Sequence, residues 1–184
     1  MRPYCGAMPT VLLNLFHPDY ENSRANRALI DAVRTLPNVT LRDHHALYPD
    51  GCIDVDAEQA LLEAHDVHVM QFPFYWFSSP PLFKAWQDQI LTWGWAFGDR
   101  RALEGKAWRV VTTLGGGPDD YSPLGLAGHT VDEILLPVKL TASYCAIQWL
   151  DPFCVYNVAP GSPRAITDDQ LAQRARAYHD LLSA

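Results

Sequence analysis

The sequence is poor in positive charge, in cysteine and in long hydrophobic runs, and each shortage removes a class of protein. Lys and Arg number 14 against 21 Asp and Glu, for a net charge of −7. That balance argues against nonspecific binding to nucleic acid or to an anionic lipid surface, while leaving room for a local phosphate site. The cysteines, Cys5, Cys52, Cys145 and Cys154, form no C-x-x-C pair and no zinc spacing. They read as three partly buried thiols and one near a mobile N-terminus, in a reducing compartment. No apolar run approaches the ~20 residues of a membrane span, and MRPYCGAMP at the start lacks the apolar core of a secretory signal. Repeats, linkers and low-complexity segments are also missing. The expectation is a cytoplasmic protein of one domain over residues 1–184, with 1–9 a flexible extension.

What is present is a globular composition, 48% hydrophobic and 19% charged over 184 residues, enough for one well-filled core. Apolar runs at Thr10–Phe16, Val67–Pro73, Ala107–Thr113 and Ile147–Tyr156 predict buried strands, the last disturbed at Asp151-Pro152. Val39–Arg42 alternates like an edge strand. Helical spacing follows from Ser23 to before Pro37, from Ala57 to about Ala64, and from Leu82 through Trp93, with Ser78 and Ser79 as N-cap candidates. Further helices are expected over Thr130–Ala142, interrupted near Pro137, and from Thr167 to Leu182. Five strands alternating with helices predict a doubly wound parallel α/β sheet.

Three strand-end loops carry candidate chemistry. His17, Ser23 and Asn26 sit where a strand gives way to a helix N-terminus, a place that collects free N–H groups and suits a phosphate; Arg24 adds charge. Ser23 acting simply as a helix cap and His17 as a turn residue is the plainer alternative. Phe74-Tyr75-Trp76-Phe77 leaves the Val67–Pro73 strand and needs a cover, either a flat ligand or a partner surface. Thr112-Thr113-Leu114-Gly115-Gly116-Gly117 offers hydroxyls and a backbone that a planar ligand can approach, or else a flexible turn. Asp43, His44, His45, Cys52, Asp54 and Asp56 lack metal-ligand spacing and read as a solvated loop, so no metal is expected. His65 and His68 read as ordinary histidines.

Taken together, FHPDYENSRAN at 16–26, QFPFYWFSSPPLFKAW at 71–86 and VTTLGGG at 111–117 resemble the NAD(P)H:quinone oxidoreductase family of flavodoxin-like proteins. LYPDGCIDVDAEQALL at 47–62 and GWAFGDRRALEGKAWRVVTT at 94–113 resemble its small bacterial branch, the ancillary flavoproteins of glutathione-gated potassium efflux systems. The likeness runs over roughly residues 10–182. It implies a sheet of order 2-1-3-4-5, bound FMN with FAD as the alternative, and a homodimer with the flavin near the interface. NAD(P)H would be the reductant and a quinone the acceptor. A membrane efflux transporter would be a partner, with the protein peripheral at the inner face of the cell membrane. His17 and Ser23, Arg24, Ala25 and Asn26 would hold the flavin phosphate. Pro73 and Phe74 to Phe77 would border the ring, and Thr112, Thr113, Leu114, Gly115 and Gly116 would meet its polar edge.

This chain departs from the pattern in three places. Phe72 stands where the ancillary branch often has His, and Leu114 separates the threonines from the glycines, shifting contacts at 114–116 by one. Tyr121 matches a tyrosine that stabilises charge on the reduced flavin in larger members, but Ala127 occupies the position of its histidine partner. His129, nearby and out of register, is the substitute the sequence offers. A one-electron flavodoxin carrier is disfavoured because residues 17–26 lack a threonine- and glycine-rich phosphate loop.

Overall fold

Parallel strands covered on both faces must be apolar throughout, and β1 (Val11–Leu15) is buried at every position. The computed structural model describes residues 8–184; most of the expected N-terminal extension, and Cys5, lie outside them. β1 pairs on one side with β2 (Val39–Asp43) and on the other with β3 (Val67–Pro73). β4 (Ala107–Thr113) and β5 (Gln148–Val155) extend the sheet, giving the all-parallel order β2-β1-β3-β4-β5. This is the expected 2-1-3-4-5 order. The register of β5 on β4 shifts between Arg109 and Val111, opposite the expected Asp151-Pro152 disturbance, which an edge strand tolerates.

Alternate side chains feed two apolar layers. Val11, Leu13 and Leu15 pack against Leu29 and Val33 of α1 (Arg24–Val33) and Tyr178 and Leu182 of α7 (Asp168–Leu182). Leu12, Met70, Phe72, Trp108 and Val110 pack against Phe83, Trp86 and Ile90 of α4 (Pro81–Ile90). On that same face lie α2 (His44–Leu47), α3 (Val55–Ala64), α5 (Val131–Ile134) and α6 (Leu136–Tyr144). Ser23 caps α1 and Thr167 caps α7, each hydroxyl accepting from an amide three residues on. Helix 130–142 is split in two at Leu135, before Pro137.

Several expectations are corrected. α4 stops at Ile90, and a turn with Gly94 at φ +77° throws Trp93 out to 68% exposure, so Trp93 is not part of the buried stripe. Pro80 is its N-cap residue, with Pro81 in the first turn, so neither Ser78 nor Ser79 caps it. α3 begins at Val55, capped by Asp54. Cys52 is exposed rather than partly buried.

The His44 segment is not a solvated loop. Asp43 caps a single helical turn whose geometry rolls His44 inward, stacked on Phe16 with ring centroids 4.3 Å apart. Its Nε2 lies 3.0 Å from Asn14 Oδ1 and 3.8 Å from Glu58 Oε2. Burial drives its pKa down to about 4, so the ring is neutral. Glu58, fully buried, accepts from Arg42 Nη2 at 2.5 Å, Tyr48 Oη at 2.8 Å and Trp86 Nε1 at 3.3 Å. A buried carboxylate survives only with such partners. His68 is likewise buried, lying between the Leu62 carbonyl and Trp108 Nε1.

Candidate functional site

The sheet ladder runs past the ends of the strands. Phe16 N–H donates to Gln71 O, Phe74 N–H to Thr113 O and Leu114 N–H to Val155 O, at 2.8–2.9 Å. These bonds draw the loops after β1, β3, β4 and β5 together at the carboxyl edge, where an α/β sheet places its ligands. A cleft of about 500 Å³ opens there, within the range of small-molecule sites. A wider groove of about 970 Å³ lies between the C-terminal halves of α4 and α6 and the loop at 93–101. It sits where those helices run in to β4 and β5, at the opposite end of the sheet.

One end of the cleft is built for an anion. His17, 6% exposed, accepts the Asp19 amide on Nδ1 at 3.1 Å. Burial lowers its pKa, Asp19 opposing, so the neutral ring carries its proton on Nε2 and has it to donate. Ser23 Oγ accepts from the Asn26 amide at 3.3 Å and Asn26 Nδ2 at 3.2 Å, leaving its own hydrogen to donate outward. The amides of Arg24 and Ala25, in the first turn of α1, add the positive end of the helix dipole. Asp19 also lines this end, with its carboxylate engaged by Asn22 Nδ2 at 2.8 Å.

Two residues expected to supply donors are committed elsewhere. The Arg24 guanidinium turns away to Asp168 Oδ1 at 2.6 Å and Ile166 O at 3.0 Å. Asn26 is buried, and Nδ2 spends its hydrogens on Ser23 Oγ and, at 3.1 Å, on Thr113 Oγ1. Its Oδ1 accepts from Gln71 Nε2, whose Oε1 accepts from Tyr178, each at 3.1 Å. Asn26 therefore braces the site from behind.

The other end is aromatic. Pro73, Phe74 and Tyr75 line it, together with Thr113 and Gly115. Tyr75 and Ser78 exchange both backbone hydrogen bonds at 2.9 Å around Trp76 (φ 49°) and Phe77 (φ 60°). Positive φ at both central residues is the type I′ hairpin pattern, normally filled by Asn-Gly. Aromatic residues are strained there, and Trp76 is left 93% exposed. Phe74 and Phe77 contact Tyr121 edge-on, at ring-centroid distances of 6.0 and 6.5 Å. Burial raises the Tyr121 pKa, so the phenol keeps its proton.

Thr112 points into the opposite layer, its buried Oγ1 without a partner among the described residues, and Leu114 is fully buried there. A Cβ on Gly116 would lie 2.8 Å from Asp120 Oδ2 and 3.2 Å from Tyr121, so a side chain has no room there. His129 is not brought to the cleft; it lies 70% exposed beside Glu133, 3.9 Å away. Sequence reading missed the loop after β5, whose Val158, Ala159, Pro160, Gly161 and Ala165 form a wall of the cleft. Its place after a fifth strand was the available signal.

Comparison with known proteins agrees with this geometry. A family model described as a flavodoxin-like fold matches residues 9–182. The glutathione-regulated potassium-efflux system ancillary protein KefG of Pectobacterium carotovorum is 41% identical over 177 residues, 96% of this chain and 94% of that one. The structure of general stress protein 14 from Treponema denticola, in complex with FMN, superposes with a TM-score of 0.86. It is 39% identical, over 95% of this chain and 98% of that one. An NADPH-quinone reductase from P. pentosaceus gives a TM-score of 0.84 at 25% identity, over 94% and 97% of the two chains.

Proposed function

The chain belongs to the family of flavodoxin-like fold whose model covers residues 9–182, and from that premise we propose that it is a flavin-dependent NAD(P)H:quinone oxidoreductase using FMN. The observation that carries the reading is the meeting, in one cleft, of an anion-binding end at His17 and Ser23 with an aromatic wall at Phe74 and Tyr75. The FMN-bound relative and the NADPH-quinone reductase support it. FMN, when bound, supplies the two-electron chemistry between NAD(P)H and quinone.

The chain supplies binding and orientation. His17 Nε2–H, the Ser23 hydroxyl and the Arg24 and Ala25 amides would hold the phosphate. Phe74, Tyr75, Trp76 and Phe77 would flank the ring and keep water from it, and Thr113 with Gly115 and Gly116 would meet its polar edge. Tyr121, kept protonated, would offer its O–H to charge on that edge. Homodimerisation belongs to the same proposal. The exposed Trp76 and Phe77 suit a face that a second subunit covers.

A second reading is a regulatory ancillary subunit of a glutathione-gated potassium efflux transporter, supported by the KefG relatives. Among the described residues no helix is long and apolar enough to cross a membrane. The test is steady-state oxidation of NAD(P)H by a soluble quinone, with and without added FMN. FMN-dependent turnover, one quinone reduced per NAD(P)H, is expected. Stoichiometric co-purification with a transporter and no turnover in the FMN-loaded protein would favour the regulatory reading.

A further inference from the structure

The segment between β5 and α7 is tied down at both ends and across its middle. Its base is closed by Ile166 N–H donating to Asn157 O at 2.8 Å. Asn157 N–H donates to Gly116 O at 2.9 Å and Val158 N–H to Leu114 O at 3.0 Å, fastening its start to the glycine loop. Arg24 fastens its end to the first turn of α1, through Ile166 O and Asp168. In the middle, Arg164 Nη2 donates to Asp120 Oδ2 at 2.9 Å, and the same carboxylate accepts the Gly117 amide at 2.7 Å. The loop thus spans from the glycine turn to the anion-binding end. Toward the cleft it presents Ala159, Pro160 and Gly161, with Gly161 in the left-handed region at φ +75°.

Resting on the flavin reading, we propose that this is a fourth cofactor-contacting loop. Ala159–Gly161 closes over the ribityl-phosphate tail, and the Arg164–Asp120 pair is the staple that positions it. The composition suits the task. The loop offers the tail no charge, because Arg164 is turned to Asp120. Among the described residues the Ala159 and Gly161 amides have no protein acceptor, so both are available to tail oxygens. Small side chains leave room: a Cβ on Gly115 would come no nearer to Ala159 Cβ than 3.6 Å. A branched side chain at Ala159 would enter the space that the tail needs.

The test measures binding of FMN and of lumiflavin, which has the ring and no tail, to the full chain by flavin fluorescence. Ala159→Leu is expected to weaken FMN about tenfold or more, by overpacking, and to leave lumiflavin within about twofold. Arg164→Ala is expected to speed FMN release about three- to fivefold, as befits an exposed ion pair, and Arg164→Lys to recover part of that. If Ala159→Leu does not fold, the Arg164 pair of variants decides. FMN binding unchanged in both Ala159→Leu and Arg164→Ala, or an equal loss for FMN and lumiflavin, would overturn the inference. Failure of the unaltered chain to take FMN would instead bring down the functional reading, and this inference with it.

Discussion

Trp76 and Phe77 hold positive φ at the tip of a two-residue turn that Asn-Gly would occupy without strain. Each L-residue in the left-handed region costs about 1–2 kcal/mol. Trp76, 93% exposed, and Phe77, half exposed, recover little of that through burial within the chain. The double variant Trp76→Asn/Phe77→Gly removes about 2–4 kcal/mol of strain, and the added glycine gives back about 1 kcal/mol to the unfolded state. The net gain of about 1–3 kcal/mol corresponds to a rise in Tm of about 2–12 °C for a chain of this size. The same variant removes aromatic surface from the proposed flavin, at about 1–3 kcal/mol for a stacked ring, or roughly 5- to 150-fold in Kd. Differential scanning calorimetry of the apoprotein and a fluorescence titration with FMN measure the two effects. A variant that melts lower and binds FMN as before would refute the view that the strain is kept for the ligand.

His44 and His68, with pKa values lowered by burial from 6.5 to about 4, bind fewer protons folded than unfolded. Stability is therefore full above pH 6.5 and lost as pH falls toward 4, by about 3 kcal/mol per histidine. A urea midpoint that stays constant between those limits would contradict this. Glu58→Ala leaves Arg42, Tyr48 and Trp86 without their shared acceptor and should cost about 3–5 kcal/mol in urea unfolding, with an effect below about 1 kcal/mol refuting the network. Gly125→Ala would place a Cβ 2.1 Å from the Asp119 carbonyl, so the turn carrying Tyr121 must shift. A loss of about 1–3 kcal/mol and weaker FMN binding are expected, and wild-type values for both would refute the packing.

Much of the fold was legible because buried parallel strands are continuous apolar runs and their helices carry one apolar face; TVLLNLF and VHVMQFP admit little else. The strand-end loops were legible for the same reason, since topology fixes which edge they share. The illegible features depend on single turns and long-range partners. No periodicity announces a four-residue helix, so the inward roll of His44 depended on Asp43 capping it and on Phe16 and Asn14 waiting to receive it. Asn26 has the chemistry of a phosphate donor, and only Ser23, Thr113 and Gln71 around it show where its hydrogens go. Arg24 was diverted by Asp168, distant in sequence. The wall at Ala159–Gly161 carries no charged or aromatic group to mark it.

In the proposed reading, loops converging on one carboxyl edge hold a flavin that NAD(P)H reduces. The most direct measurement is the visible spectrum of the purified protein, loaded with FMN and then mixed anaerobically with NADPH or NADH. The expected result is a protein-bound flavin spectrum that bleaches with one equivalent of nicotinamide and returns on adding quinone. A protein that takes up no FMN, or whose bound flavin neither nucleotide can bleach, would contradict it.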